Sequence, residues 1–260
     1  MDASAFNEDR AEVIGRALEA GVGAILTVGT DLESSRTAVA LAEAYPSVFA
    51  AVGVHPHDAS SATEETFVQL RELCHHPKVL AVGEIGLDFY RDLSPRDVQR
   101  RVFERQLALA AEVEKPVIIH QRDSLSDVME RLEQWSKEQA VKCDQPLGVL
   151  HCFSGDVQAA ERAIALGFYI SLAGPVTYLN AKRPAAVAQA VPLDRLLLET
   201  DCPYLSPHPL RGKRNEPANV RLIAQRIADI KALSPEKVAE TTTAAAQRLF
   251  TGLKLVSTTD

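Results

Sequence analysis

The sequence predicts an α/β fold of the TIM-type (β/α) barrel class, in which seven strands can be recognised. Short runs rich in Val, Ile and Leu recur along the chain, and each is followed by a segment with helical periodicity. These runs are continuously apolar, which is typical of parallel strands covered on both faces. No G-x-G-x-x-G turn follows a run, and its absence from the sequence argues against a doubly wound open sheet.

The predicted strands, in chain order, cover residues 23–29, 48–55, 79–84, 116–120, 147–151, 168–174 and 195–201. The amphipathic segments predict helices over about 8–20 and over 32–45, 95–114, 125–139 and 157–166. Ser94-Pro95 and Ser234-Pro235-Glu236 have the pattern of a helix N-cap followed by a proline in the first turn. No linker rich in Ser, Gly or Pro divides the chain, so we expect residues 1–260 to form one domain.

The chain opens with a predicted helix rather than a strand. A closed (β/α)₈ barrel has eight parallel strands, and each of them is followed by a helix. The strand expected before the first helix is therefore the one that the sequence lacks.

Composition limits the ways in which this chain can bind its partners. It has 28 Lys and Arg against 35 Asp and Glu, so its net charge is −7 and bulk charge does not favour nucleic acid. A substrate that carries phosphate would need a local basic patch or bound cations. No run approaches the ~18 apolar residues of a membrane span, and the first ten residues do not resemble a signal peptide. We expect a cytoplasmic protein.

Five ionisable residues lie at the C-terminal ends of predicted strands: His55, Glu84, His120, His151 and Asp201. In a parallel barrel these ends meet at one rim, where active sites lie. Any one of them alone could be a hydrogen-bonded residue at the end of a strand. Five together favour a metal site, because three imidazoles and two carboxylates suit Zn²⁺, Mn²⁺ or Mg²⁺.

This set of ligands predicts a hydrolase. Two cations can share one carboxylate, hold a phosphoryl or carbonyl oxygen, and activate water at neutral pH. Glu84 suits the bridging position because a carboxylate has two oxygens, and His120 and His151 suit terminal positions. Asp201 could bind one metal and also accept a proton from the attacking water.

Six segments resemble the TatD family of metal-dependent nucleases: GVHPHDA (53–59), GEIGLDFY (83–90), PVIIHQRD (116–123), HCFSG (151–155), LLLETDCPYL (196–205) and RGKRNEP (211–217). The resemblance covers essentially the whole chain, with the segments in family order. It implies a TIM-barrel metal-dependent hydrolase related to amidohydrolases, with deoxyribonuclease and 3′–5′ exonuclease activity. By this resemblance Glu84, His120, His151 and Asp201 are metal ligands, and Asp201 and Glu84 are catalytic.

The sequence departs from the family pattern at its beginning. The first strand of the family ends in a His-x-His pair that binds one metal, whereas no histidine precedes His55 here. Two explanations stay open: the beginning of the chain lies outside this sequence, or a natural variant has lost one metal site. The first is favoured because the first helix and all that follows are family-like. The family binds two divalent ions (Zn, Mn or Mg), and we expect this form to bind at most one of them tightly.

The leading functional hypothesis is a metal-dependent DNA phosphodiesterase that acts on single strands or 3′ ends. His55 and His57, together with Arg211 and Arg214 of a basic loop after the last strand, are the predicted substrate-binding residues. One alternative is an amidohydrolase or esterase that acts on a small molecule or an aminoacyl ester. Another is a non-catalytic relic with a damaged metal site. Neither a membrane nor a protein partner is implied.

Overall fold

One parallel sheet organises the chain in the computed structural model, which describes residues 1–140 and 145–256. Within these ranges the strands pair in sequence order: β1 (Ile25–Val28), β2 (Val48–Val52), β3 (Val79–Asp88), β4 (Val117–Arg122), β5 (Gly148–Leu150), β6 (Phe168–Leu172) and β7 (Leu196–Leu198). The seven predicted parallel strands are confirmed. The predicted end of the third strand at Glu84 is wrong, because β3 continues to Asp88.

Nine α-helices of the described ranges flank this sheet: α1 (Arg10–Glu19), α2 (Leu32–Ala44), α3 (Glu64–Cys74), α4 (Arg96–Glu112), α5 (Leu125–Ala140), α6 (Val157–Ala165), α7 (Lys182–Ala190), α8 (Val220–Lys231) and α9 (Pro235–Leu249). The five helices bounded from the sequence are confirmed to within two residues at each end. None of the helices in the described part of the chain is long and apolar enough to cross a membrane.

Of the two predicted serine caps, one is confirmed and one is wrong. The Ser234 side chain accepts a hydrogen bond from the Lys237 N–H at the start of α9. Ser94 caps no helix, because α4 begins one residue later than that pattern predicts, with Pro95 as its N-cap. The buried Ser94 hydroxyl instead donates to the His57 carbonyl oxygen at 2.8 Å. Ser94 therefore anchors the loop that carries His57.

Both faces of the sheet are buried, as the continuously apolar runs predict. All residues of β2 and β6 are buried. On one face Ile118 of β4 and Val149 of β5 pack against Leu249 of α9. Side chains two residues apart on a strand share a face, so His120 points to the same side as Ile118. An apolar layer closed by α9 thus lies beneath the C-terminal ends of the strands.

The sheet is strongly curled. Glu84 of β3 lies 3.3 Å from His151, which directly follows β5, although two strand spacings of about 4.8 Å separate these strands. Among the described residues β1 and β7 do not pair with each other. Beside β1, the N-terminal segment buries Phe6 and Met1, and the Met1 nitrogen donates to Thr27 Oγ1 at 2.8 Å.

Candidate metal centre

A carboxylate surrounded by imidazoles lies at the C-terminal rim of the sheet. Glu84 Oε1 is 2.7 Å from His120 Nδ1, 3.3 Å from His151 Nε2 and 3.7 Å from His55 Nε2. Asp201 Oδ1 lies 4.0 Å from His151 Nε2. The structure therefore brings together all five residues that the sequence places at strand ends.

Three of these residues form a group whose geometry suits one cation. One ligand atom from each of His55, Glu84 and His120 can be chosen so that all three lie within 4.8 Å of one another. Two imidazoles and a carboxylate are a donor set that Zn²⁺ and Mn²⁺ accept. His55, which the sequence places among the five strand-end residues and also suggests as a substrate-binding residue, belongs to this group.

A close approach of two strands fixes Glu84 beside His120. Gly86 pairs with His120 across β3 and β4, with a φ of 143°, and a Cβ atom there would overlap the His120 carbonyl oxygen. Only glycine adopts this conformation without strain. The Glu84 N–H donates to the Gly29 carbonyl oxygen at 3.1 Å, which ties β3 to the end of β1.

Charges within the group shift several pKa values. Burial works to raise the pKa of Glu84, but His151 and His120 outweigh it and hold that pKa well below its usual range. Burial lowers the pKa of His55 to about 3. Burial raises the pKa of Asp201 to about 7, with help from Glu84 and against the opposing effect of His151. Glu84 is thus ionised at neutral pH, whereas Asp201 exchanges a proton near pH 7.

Comparison with known proteins identifies the family to which this chain belongs. The family model described as TatD related DNase matches residues 1–251. The chain belongs to the TatD family. The metal-dependent hydrolase YabD of Bacillus subtilis is 45% identical to it over 250 residues, which cover 96% of each protein. The 3′-5′ ssDNA/RNA exonuclease TatD of Citrobacter rodentium is 39% identical over 264 residues, which cover 99% of this chain and 97% of that protein.

Solved structures of TatD homologues have the same fold. YJJV, a TatD homologue from Escherichia coli K12, matches with a TM-score of 0.88 at 31% identity, covering 96% of this chain and 94% of that one. A TatD family hydrolase from Entamoeba histolytica matches with a TM-score of 0.81 at 25% identity, covering 94% and 90%. The predicted family, fold class and metal-dependent hydrolase activity of the DNase type are confirmed.

In this TatD-family chain, two carboxylates that sequence reasoning missed hold the histidines. Asp88 Oδ2 lies 3.1 Å from His120 Nε2 and 2.9 Å from His57 Nε2. Burial works to lower the pKa of His120, but Asp88 and Glu84 outweigh it and raise that pKa above its usual value. Asp88 lies four residues after Glu84, on the same face of β3. This spacing would have pointed to Asp88 as a site residue, but the predicted strand ended at Glu84.

Glu199 is the second missed carboxylate. Its Oε2 lies 2.7 Å from His151 Nδ1, and its Oε1 accepts the Cys152 backbone N–H at 2.6 Å. Burial works to lower the pKa of His151, but Glu199 and Glu84 outweigh it and raise that pKa well above the usual value. Glu199 lies two residues before Asp201 in the predicted last strand. Because side chains two residues apart on a strand share a face, this spacing could have identified Glu199 as a site residue.

The four predicted substrate-binding residues lie in different surroundings. The ring centroid of His57 lies 4.2 Å from that of His55, at the edge of the candidate metal cluster. Arg211 is exposed on the rim, and its guanidinium lies over the ring of Tyr178.

Arg214 lies in the same loop after β7 as Arg211, but it belongs to a separate ion-pair network. Its guanidinium forms ion pairs with Asp9 at 2.6 Å and with Glu216 at 3.0 Å, and it donates to the Ala5 carbonyl oxygen. A substrate phosphate would have to displace two carboxylates to reach Arg214. These contacts link Arg214 to the N-terminal segment, and its contact with substrate stays a prediction.

Proposed function

We propose that this TatD-family chain removes nucleotides from the 3′ end of single-stranded DNA or RNA with the help of a divalent cation. The observation that carries the proposal is the convergence of three imidazoles on the Glu84 carboxylate, at 2.7 to 3.7 Å. The names of relatives that are 38–40% identical, 3′-5′ ssDNA/RNA exonuclease TatD, support this substrate and direction. Packing on one continuous sheet supports a single domain over residues 1–260.

We assign the metal ligands to Glu84, His120, His151 and Asp201. When bound, the cation would supply Lewis-acid activation of water and of a phosphoryl oxygen. Three imidazoles near one carboxylate favour Zn²⁺ or Mn²⁺ over Mg²⁺, which prefers oxygen ligands. His55 is a further candidate ligand, because burial keeps its pKa near 3 and so keeps it neutral at the pH of the reaction.

Asp201 is the proposed proton acceptor. Its backbone has a φ of 54°, and its carbonyl oxygen accepts the Tyr204 N–H at 3.0 Å, so the turn after β7 holds the side chain toward His151. A carboxylate at this position, beside a ligand of the proposed cation, suits a group that takes a proton from water and returns it to a leaving oxygen. Arg211 is the proposed phosphate contact, since its guanidinium is exposed on the rim.

The test follows the shortening of an oligonucleotide. Protein freed of metal by chelation is supplied in turn with Zn²⁺, Mn²⁺ or Mg²⁺ and incubated with a 5′-labelled single strand. We expect a ladder of products shortened from the 3′ end, and we expect Glu84→Ala to abolish it. Glu133→Ala is the control, because Glu133 pairs with Arg162 on the surface. Absence of a ladder with every metal, or full activity of Glu84→Ala, would contradict the proposal.

A further inference from the structure

Two arginine–tyrosine pairs lie on the rim that carries the metal cluster. The Arg122 guanidinium carbon is 3.8 Å from the centre of the Tyr90 ring, and that of Arg211 is 4.2 Å from the centre of the Tyr178 ring. Both distances are well inside the ~6 Å range of a cation–π contact. Tyr90 is 61% exposed, and Tyr178 is half-buried.

The first pair is fixed to the strands that hold the cluster. The Tyr90 N–H donates to Asp88 Oδ1 at 3.0 Å, and Asp88 also contacts His120. Arg122 lies two residues after His120, at the end of β4, and its carbonyl oxygen accepts the Phe89 N–H at 2.9 Å. The backbone contacts that position the cluster therefore position this pair as well.

The second pair lies in the loops after β6 and β7. Tyr178 follows β6, and Arg211 belongs to the loop after β7. Thr177 Oγ1 accepts the His208 N–H at 2.8 Å, which ties the two loops together. This hydrogen bond keeps Tyr178 and Arg211 next to each other.

These arginines differ from the other arginines that lie over aromatic rings. Within residues 1–140 and 145–256, neither Arg122 nor Arg211 forms an ion pair with a carboxylate, whereas Arg96 and Arg100 over Phe89 both do. Arg195 lies over Tyr169, but that ring is only 1% exposed and Arg195 precedes β7, at the opposite end of the strands.

A pair of this kind offers the two contacts that single-stranded nucleic acid uses. Its ring can stack on a base, and its guanidinium can contact a phosphate. In a chain with a net charge of −7, arginines without carboxylate partners are the local positive charge that such a substrate requires. Bases inside a duplex are already stacked on each other, so the rings would be available only to unpaired bases.

We propose that Tyr90–Arg122 and Tyr178–Arg211 are two nucleotide-binding positions on the rim that carries the metal cluster, and that they select single strands over duplexes. The proposal rests on the proposed function, since it names how the same site recognises nucleic acid. It assigns base stacking to the tyrosines and phosphate contact to the arginines.

Binding without hydrolysis tests the stacking. The affinity of the metal-free protein for a fluorescent oligothymidylate is measured by anisotropy in the presence of a chelator. Because stacking on an aromatic side chain is worth about 1–3 kcal/mol per base, Tyr90→Ala and Tyr178→Ala should each weaken binding roughly 5- to 150-fold. Tyr90→Phe and Tyr178→Phe should retain it. Arg195→Ala, the matched control, should bind as the parent does.

Salt dependence tests the arginines. Arg122→Ala and Arg211→Ala should each lower the slope of log affinity against log salt by about 0.7, the value for one phosphate contact on a single strand. The tyrosine variants should leave that slope unchanged. Parent-like affinity of both Tyr→Ala variants for the single strand would overturn the proposal, and so would equal losses on a hairpin duplex.

The binding and hydrolysis results separate this proposal from the proposed function. A ladder of products from both Tyr→Ala variants with the KM of the parent would overturn the two binding positions and leave the exonuclease proposal intact. Tyrosine-dependent binding together with no hydrolysis under any metal would support the positions and contradict the exonuclease proposal. Thermal melting of each variant shows whether a loss of binding comes from unfolding.

Discussion

Replacing Glu199 by glutamine tests whether this carboxylate fixes the tautomer of His151. Both of its oxygens are acceptors, one for His151 Nδ1 at 2.7 Å and one for the Cys152 N–H at 2.6 Å. A glutamine has only one acceptor oxygen. If that oxygen keeps the Cys152 N–H, the amide NH₂ faces Nδ1, and the neutral imidazole that metal binding requires must then carry its proton on Nε2. Nε2 is the nitrogen that faces Glu84, and once protonated it cannot bind a cation.

The expected magnitude follows from the two hydrogen bonds. Loss of the partner that orients a metal-binding histidine costs about 10- to 100-fold in metal affinity, or roughly 1.4–2.8 kcal/mol. Glu199→Gln should therefore weaken Zn²⁺ or Mn²⁺ binding by that factor. One charge-assisted hydrogen bond is also lost, so the free energy of unfolding of the metal-free protein should fall by about 1.5–3 kcal/mol.

Isothermal titration with Zn²⁺ and with Mn²⁺ measures the first effect, and urea denaturation in chelator measures the second. Glu133→Gln is the matched control, because Glu133 pairs with Arg162 on the surface and should change neither quantity by much. Metal affinity of Glu199→Gln equal to that of the parent would refute the tautomer argument. A loss of stability without a loss of affinity would assign Glu199 to the backbone of the Cys152 loop alone.

Three further substitutions test other parts of the site. Gly86→Ala should lower the free energy of unfolding, measured by urea denaturation, by about 2–3 kcal/mol, because its Cβ would overlap the His120 carbonyl oxygen. Gly15→Ala is the control, because a Cβ atom there meets open space and should not destabilise the protein. Asp201→Asn should stabilise the metal-free protein relative to the parent, progressively as the pH rises from about 4 to about 7 and by up to about 1.4 kcal/mol per pH unit. In this range the parent carboxyl is ionised in the unfolded chain but protonated in the folded protein, where its pKa is raised to about 7, so the parent loses stability as the pH rises. A pH-independent difference would contradict this. Arg214→Ala should lower the melting temperature and leave the KM for single-stranded DNA nearly unchanged, because the Arg214 guanidinium already binds two carboxylates and a carbonyl oxygen. A clear rise in KM would instead support the substrate contact that the sequence predicts for Arg214.

The convergence of the site residues could be predicted because it depends only on strand direction. The carboxyl ends of parallel strands meet at one rim, so His120 and His151 come together whatever path the helices take between them. Metal-ligand roles for them stay predictions. The lengths of the apolar runs gave the strand positions, since buried parallel strands have no polar alternation to obscure them.

The residues that support the site could not be located in this way. Glu84 and Gly86 interrupt the apolar run of β3, so the strand seemed to end before Asp88 and the partner of His120 was missed. The contacts of Ser94 and Arg214 depend on loops that cross from one element to another. A Ser-Pro pair has the same local pattern whether its hydroxyl caps a helix or bonds to a distant carbonyl, as Ser94 does with His57.

The order of the strands governs when the candidate metal centre can form during synthesis. The residues of the metal cluster extend from His55, after β2, to Asp201, after β7, and each of them comes from a different strand or the loop behind it. Domains emerging from the ribosome begin to form from the N-terminal end, at about 5–20 residues per second. A nascent chain that has not yet added β7 lacks Asp201 and the Glu199 contact to His151. The candidate metal centre is therefore complete only after β7 and the loop behind it have been synthesised.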